Sequence, residues 1–315
     1  MLVKKHPQFL RHVFTLTISE NTVSNLTNNG YNHLDDVTKN PESYKHLTER
    51  ELEHLMSTPK IVDSTDLYYK EPKIEKIRIP SRTLNQILDG GFHCGTMTEL
   101  CGGMGSGKTQ ICFQASIAVQ LDKRYGGLKG KVIYIDTRDG FSPLRVTDLI
   151  QGYRNRHRNL LLNEENLLKN IAVYSPKTVS ELYDIIDGLK KSCGNHPEIR
   201  LLIVDSLSHL IQFSNDSWHR TRTYFYTLKL LRDLTHSNIA VIVTSEMKTQ
   251  IQHEERNFQL VSSGGDVTAN QMNRRLLLAR RNQNEFAAKI VKAQSRQMAV
   301  LPFKITSDGI EDSPI

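Results

Sequence analysis

The run Gly102-Gly103-Met104-Gly105-Ser106-Gly107-Lys108-Thr109 constrains the fold of this chain more than any other feature. It satisfies the pattern G-x-x-x-x-G-K-[ST] in full, and it lies between a strand-like stretch at 96–101 and a helical stretch at 110–121. The glycines let backbone N–H groups curl around phosphate oxygens where a Cβ would clash. The start of the helix adds its partial positive charge. Lys108 is spaced to reach β- and γ-phosphates, and the Thr109 hydroxyl to ligate Mg²⁺. The loop therefore predicts a nucleoside triphosphate site, ATP with Mg²⁺, built from residues 102–109. The plainer reading is a glycine-rich turn that merely joins strand to helix.

The chain around the loop has the matching rhythm. Apolar strand candidates at 96–101, 131–135, 171–174, 201–204 and 239–244 alternate with helical stretches near 107–122, 144–157, 178–191 and 219–236. Such alternation predicts an α/β fold with a mostly parallel sheet covered on both faces. Segments 276–279, 288–292 and 300–305 follow closely on one another and predict C-terminal β-hairpins appended at the sheet edge. Upstream, Val23, Leu26, Leu34, Val37, Leu47, Leu52 and Leu55 recur at helical spacings, broken at Asn29-Gly30 and Asn40-Pro41. The stretch 57–80 is charged, holds Pro59, Pro72 and Pro80, and reads as a linker. The expected organisation is a small helical domain over 1–56, a linker over 57–80 and the nucleotide-binding core over 81–315. A length of 315 residues accommodates it, at about 150 residues per domain.

A second phosphate-site element comes from Arg200-Leu201-Leu202-Ile203-Val204-Asp205-Ser206, an apolar strand ending in a carboxylate. At the tip of a buried parallel strand Asp205 is placed to hold Mg²⁺ through water, beside Thr109. Many parallel strands end in Asp, so this element draws its weight from the loop about a hundred residues before it.

Composition narrows the partners. The chain carries 41 Lys+Arg against 34 Asp+Glu, a net charge of +7, which fits a polyanionic partner without naming one. No run approaches the ~20 apolar residues of a membrane helix, and the N-terminus, with Lys4, Lys5, Arg11 and His12, does not read as a secretory signal. Cys94, Cys101, Cys112 and Cys193 form no CxxC pair and read as free, mostly buried thiols of a reducing compartment. The basic run 154–158 reads as a solvated helix face, or a weak DNA-contact or nuclear-import patch.

From about 79 to 312 the chain resembles the RecA superfamily, in particular the RecA/RadA-type recombinases of eukaryotes and archaea and their paralogues. The resemblance rests on Ser81-Arg82-Thr83-Leu84-Asn85-Gln86-Ile87-Leu88-Asp89-Gly90-Gly91, Thr98-Glu99-Leu100 and Gly107-Lys108-Thr109-Gln110. It continues through Ile135-Asp136-Thr137, Leu202-Ile203-Val204-Asp205-Ser206 and Pro302-Phe303-Lys304-Ile305. Tyr125-Gly126-Gly127-Leu128-Lys129-Gly130 and Arg220-Thr221-Arg222 are most similar to the C-type paralogue. The resemblance implies a RecA-type core behind a small helical domain, a role in homologous-recombination DNA repair, and a nuclear location. It further implies ATP at a subunit interface, with single-stranded DNA and other recombinase-family paralogues in a hetero-oligomer as partners.

It also implies residue roles. Arg145 matches the position whose guanidinium stacks on adenine; a solvated Arg at a helix start is the alternative. Arg220 and Arg222 match the first DNA-facing loop, and 247–268 the second, where Lys248 and Arg256 are placed to meet phosphates. That second stretch has little apolar periodicity and reads as a functional or mobile loop. Glu254 and Glu255 within it oppose DNA contact, which leaves a plain solvated loop open.

The sequence departs from the family where catalysis is concerned. The family's Glu after Asp-Thr, which polarises the attacking water, is replaced by Arg138, and arginine stays protonated at accessible pH. Asp139 follows, pointing to the opposite face if the segment is extended. The family's Asn-Gln pair is Ser245-Glu246 here, and its Trp and His in the DNA loop are Thr268 and Asn270. Asp139 and Glu246 are thus the candidate replacement bases beside Lys108. Two functional readings follow: a DNA-dependent ATPase that borrows groups from a neighbour, and a catalytically weakened ATP-binding subunit that shapes or caps a filament. A small-molecule kinase is disfavoured by the flanking motifs and the C-terminal hairpins.

Overall fold

The computed structural model of the chain describes residues 13, 18–49, 51–52, 64–65, 69, 74–212, 216–252, 257–293 and 300–313. The chain divides into two compact units, 1–72 and 73–315. In the first, Ser19 caps helix α1 (Glu20–Asn28), and α2 (Leu34–Lys39) leads into a 3-10 turn, Pro41–His46, capped by Asn40. The apolar positions of the helical spacing meet there: Val13, Leu26 and Val37 are fully enclosed, with Val23, Leu34 and Leu47 against them.

The second unit begins earlier than residue 81. Within the stretch expected as a linker, β1 (Lys76–Ile77) pairs antiparallel with β2 (Phe92–His93). Ile77 and Ile79 are buried, so hydrophobic burial ties the end of the 57–80 stretch to the core. Between β1 and β2 lies α3 (Arg82–Ile87), its start held by Ser81 and by Asp312 from the far end of the unit.

Among the described residues the main sheet is ten-stranded, in the order β12-β11-β10-β9-β3-β7-β6-β4-β5, with β8 (Asn257–Ser262) paired to β7. Its parallel part comprises β3 (Met97–Gly102), β4 (Lys131–Asp136), β5 (Ile171–Tyr174), β6 (Ile199–Asp205), β7 (Ala240–Gln252) and β9 (Arg274–Arg280). β10 (Glu285–Lys292), β11 (Val300–Thr306) and β12 (Gly309–Asp312) extend it antiparallel, as the closely spaced C-terminal runs predicted. Side chains alternate across the sheet with the period of two that a strand imposes. Along β4, Val132 and Tyr134 pack with one apolar layer and Ile133 and Ile135 with the other.

The first layer is covered by α4 (Lys108–Ala118), α5 (Pro143–Arg156) and α6 (Glu164–Lys169), the second by α7 (Val179–Cys193), α8 (Leu207–Ile211) and α9 (Ser217–Thr235). α4 is buried continuously from Ile111 to Ala118, because α5 and β12 close over the face the sheet leaves open. All four cysteines are buried and unpaired. Among the described residues no helix is long and apolar enough to cross a membrane.

One expectation is overturned. The stretch 247–268 is not an irregular loop: β7 runs on to Gln252, β8 (Asn257–Ser262) returns against it in register Met247↔Ser262 to Gln252↔Asn257, and α10 (Gly265–Gln271) follows. Thr249, Ile251, Phe258 and Val261 are β-branched or aromatic. That composition favours a hairpin, and Lys248, Gln250 and Gln252 alternate with Thr249 and Ile251 as a strand requires.

Candidate nucleotide-binding site

β3 and β4 are consecutive in the chain but separated in the sheet by β7 and β6. In an open α/β sheet the crevice beyond the carboxyl ends of such strands is where ligands bind. A cavity of about 430 Å³ opens there. Its walls come from the loop after β3, the turn after β4, the tip of β6 and the body of β7.

The loop has the predicted form. Gly105 and Gly107 sit at φ 71° and 92°, left-handed values that cost an L side chain. A Cβ on Gly102 would stand 2.4 Å from the Leu278 carbonyl oxygen, so the first glycine is demanded by β9 alongside it. Met104, Gly105, Ser106 and Gly107 line the cavity, and α4 starts at Lys108 with its N-terminus at the pocket. The Lys108 Nζ donates to the carbonyls of Gly102 at 2.9 Å and Gly103 at 2.8 Å. Burial pulls its pKa below the ordinary lysine value, against the opposing pull of the Glu246 and Asp205 carboxylates.

Asp205 is held at the tip of β6 by three hydroxyls. Thr109 Oγ1 donates to Oδ2 at 2.7 Å, Tyr134 OH to the same oxygen at 2.9 Å, and Thr244 Oγ1 to Oδ1 at 2.5 Å. A hydroxyl and a carboxylate in contact, both oxygen donors on the cavity wall, are the donor set a hard divalent cation takes. The residues present fit Mg²⁺ and phosphate. The Tyr134 and Thr244 contributions escaped the sequence reading, since nothing local marks a tyrosine inside an apolar strand as a carboxylate donor.

The turn after β4 sorts its side chains. The buried Asp136 carboxylate accepts from the Arg138 N–H at 3.1 Å and the Phe141 N–H at 2.7 Å, fastening 136–141. Asp139 takes φ 54° and turns away to pair with Lys177; its side chain is 67% exposed. Of the two candidate bases, Asp139 is thus outside the cavity. Arg138 is on its wall and pairs with Glu246, which lines the cavity beside it. Glu246 has its backbone fixed: its N–H donates to Ser208 Oγ at 3.2 Å, and its carbonyl accepts from the N–H and Oγ of Ser263 at 2.9 and 2.7 Å.

Arg145 is not a solvated helix-start residue. Its guanidinium donates to Gln110 Oε1 at 2.8 Å and to the carbonyls of Ser307 and Thr306, each at 2.6 Å. These contacts run from the ring of donors in the guanidinium plane. Arg220 and Arg222 lie in the first turns of α9 rather than in a loop, and Arg222 sits over the Trp218 ring at 5.5 Å. Lys248 is in β7 with its side chain outside the described residues, and Arg256 lies outside them altogether. In the basic run, Arg154 pairs with Glu164 and Arg156 with Glu311, which makes both part of the packing of α5 on its neighbours.

A family model described as Rad51 matches residues 70–313 of the chain, a span that begins near the start of the larger unit and takes in every wall of this cavity.

Proposed function

The chain belongs to the Rad51 family of RecA-like recombinases, and from that membership we propose that it is an ATP-binding assembly subunit of recombination and repair whose own site turns ATP over slowly. The observation that carries this reading is the disposition of carboxylates around the cavity. Asp139 faces Lys177, Glu246 is paired with Arg138, Asp136 is occupied by backbone N–H groups, and Asp205 by hydroxyls. A general base needs a carboxylate oxygen free to take a proton from the attacking water, and each of these four is already engaged by a cation or by hydrogen-bond donors.

Binding is a separate matter from turnover, and the groups lining the cavity support it. Loop N–H groups and Lys108 take the phosphates, and Thr109 with Asp205 holds Mg²⁺, which when bound screens phosphate charge. Arg145 stacks on the adenine: its guanidinium is fixed by hydrogen bonds to Gln110, on the cavity wall, and to the Thr306 carbonyl. Arg220 and Arg222, with the aromatic ring of Trp218, are the residues we assign to single-stranded DNA. Other recombinase-family subunits, most naturally those that pair with a C-type paralogue, complete the interface in a hetero-oligomer in the nucleus. We take 1–72 as a separate helical domain of this subunit.

A second reading, a DNA-dependent ATPase, draws on Glu246 itself, a carboxylate on the pocket wall that becomes available if Arg138 is drawn elsewhere. The test of the primary reading is equilibrium binding of Mg-ATP to the full chain beside Lys108→Ala. Removal of the charge-assisted contacts of one lysine is expected to weaken binding about 10- to 100-fold. Equal affinity in the two proteins would remove the phosphate loop from the account.

A further inference from the structure

Arg138 is a cation placed on the phosphate cavity by a locked turn. Its backbone is fastened through Asp136, and Asp139, the next residue, is directed out to Lys177, so the two side chains cannot exchange places without breaking that turn. The guanidinium contacts Glu246, and both groups line the cavity with Lys108, Thr109 and Asp205. An unpaired Glu246 would repel a terminal phosphate, whereas an arginine offers a planar set of donors matched to phosphate oxygens. Both backbones are anchored; the Glu246 side chain is 26% exposed, whereas the longer Arg138 side chain, 39% exposed, has room to change acceptor.

We propose that Arg138 is the residue by which this site recognises the terminal phosphate of a nucleoside triphosphate, exchanging its pairing with Glu246 for that phosphate. The inference rests on the nucleotide-binding reading above and extends it to specificity. A diphosphate that fills the glycine loop leaves Arg138 on Glu246; a triphosphate draws it across. The same exchange places a cation, rather than a base, beside the phosphate that would be cleaved. The residue that displaced the catalytic Glu thus acquires a binding role of its own. A cation that served only to neutralise Glu246 would also favour the triphosphate, by removing that repulsion, but its loss would have no effect once Glu246 is itself neutral.

The experiment is a binding series with Mg-ATP and Mg-ADP on the full chain and on Arg138→Gln, Glu246→Gln and the double variant, with thermal unfolding of each as a folding control. Arg138→Gln is expected to weaken ATP about 10- to 100-fold, the loss of one charge-assisted contact, and to leave ADP within about 3-fold. Glu246→Gln, which frees the guanidinium, is expected to tighten ATP, and the double variant to bind ATP more weakly than Glu246→Gln alone. If Arg138→Gln does not fold, the Glu246→Gln arm decides: unchanged or weaker ATP binding overturns the proposal. Parallel losses for ATP and ADP, or a double variant equal to Glu246→Gln, also overturn it while leaving nucleotide binding intact. Wild-type protein that binds neither nucleotide overturns both this inference and the reading beneath it.

Discussion

His93 lies in β2 with a side chain only 6% exposed. Its Nε2 contacts the Asp89 carbonyl at 3.0 Å and its Nδ1 the Arg274 guanidinium at 3.1 Å. A carbonyl needs a donor and a guanidinium needs an acceptor, so both contacts are met only by the neutral ring with its proton on Nε2. Burial, first, and then the Arg274 and Lys76 cations push the pKa down from 6.5 to about 4. The folded value is below the unfolded one, so the unfolded chain binds the extra proton between them, and stability falls as pH drops from 6.5 towards 4. Between about pH 8 and about pH 5 this one group is worth about 2 kcal/mol. The assay is denaturant unfolding of the full chain at both pH values beside His93→Gln, which cannot titrate in this range. The wild type should lose about 2 kcal/mol more than the variant on acidification. Equal losses would refute the neutral, buried ring and with it the argument from Arg274.

Other expectations test separate parts of the structure. Gly107→Ala places a Cβ 2.7 Å from Ile305 Cδ1 at φ 92°; a strain of about 1–2 kcal/mol for the left-handed conformation should lower the melting temperature and weaken ATP binding, read by calorimetry and nucleotide titration. In the first unit, Glu51 accepts from the Ser19 and Thr48 N–H groups at 2.9 and 3.0 Å. Glu51→Ala should cost that unit about 1–2 kcal/mol and speed hydrogen exchange of the α1 amides while those of α4 stay protected.

Much of this was legible beforehand, for physical reasons that can be named. Buried parallel strands read as unbroken apolar runs, so β5 fell on 171–174 as expected, and β3 and β4 within a residue or so. The phosphate loop was legible because glycine spacing, Lys108 and Thr109 are contiguous. The β7–β8 hairpin was not, because its alternation rests on few strongly apolar residues, is interrupted by the polar run 252–257, and takes its register from pairing between strands. The pairing of Arg138 with Glu246 was beyond reach for a related reason. The residues lie 108 positions apart, Arg138 in the turn after β4 and Glu246 on β7, strands separated in the sheet by β6. Each looked like an isolated departure, a lost base and a misplaced carboxylate; only the sheet order reveals them as one ion pair. Asp139 shows the converse: its position beside Arg138 offered it as a base, and a single left-handed residue carries it out to Lys177.

The most direct test of the central claim, a nucleotide site that holds ATP without an available base, is steady-state ATP hydrolysis by the full chain. It would be measured with and without single-stranded DNA, against Lys108→Ala as background. The account predicts ATP binding with turnover close to that background in both conditions. DNA-stimulated hydrolysis by the chain alone, abolished in Lys108→Ala, would contradict it and return Glu246 to the role of base.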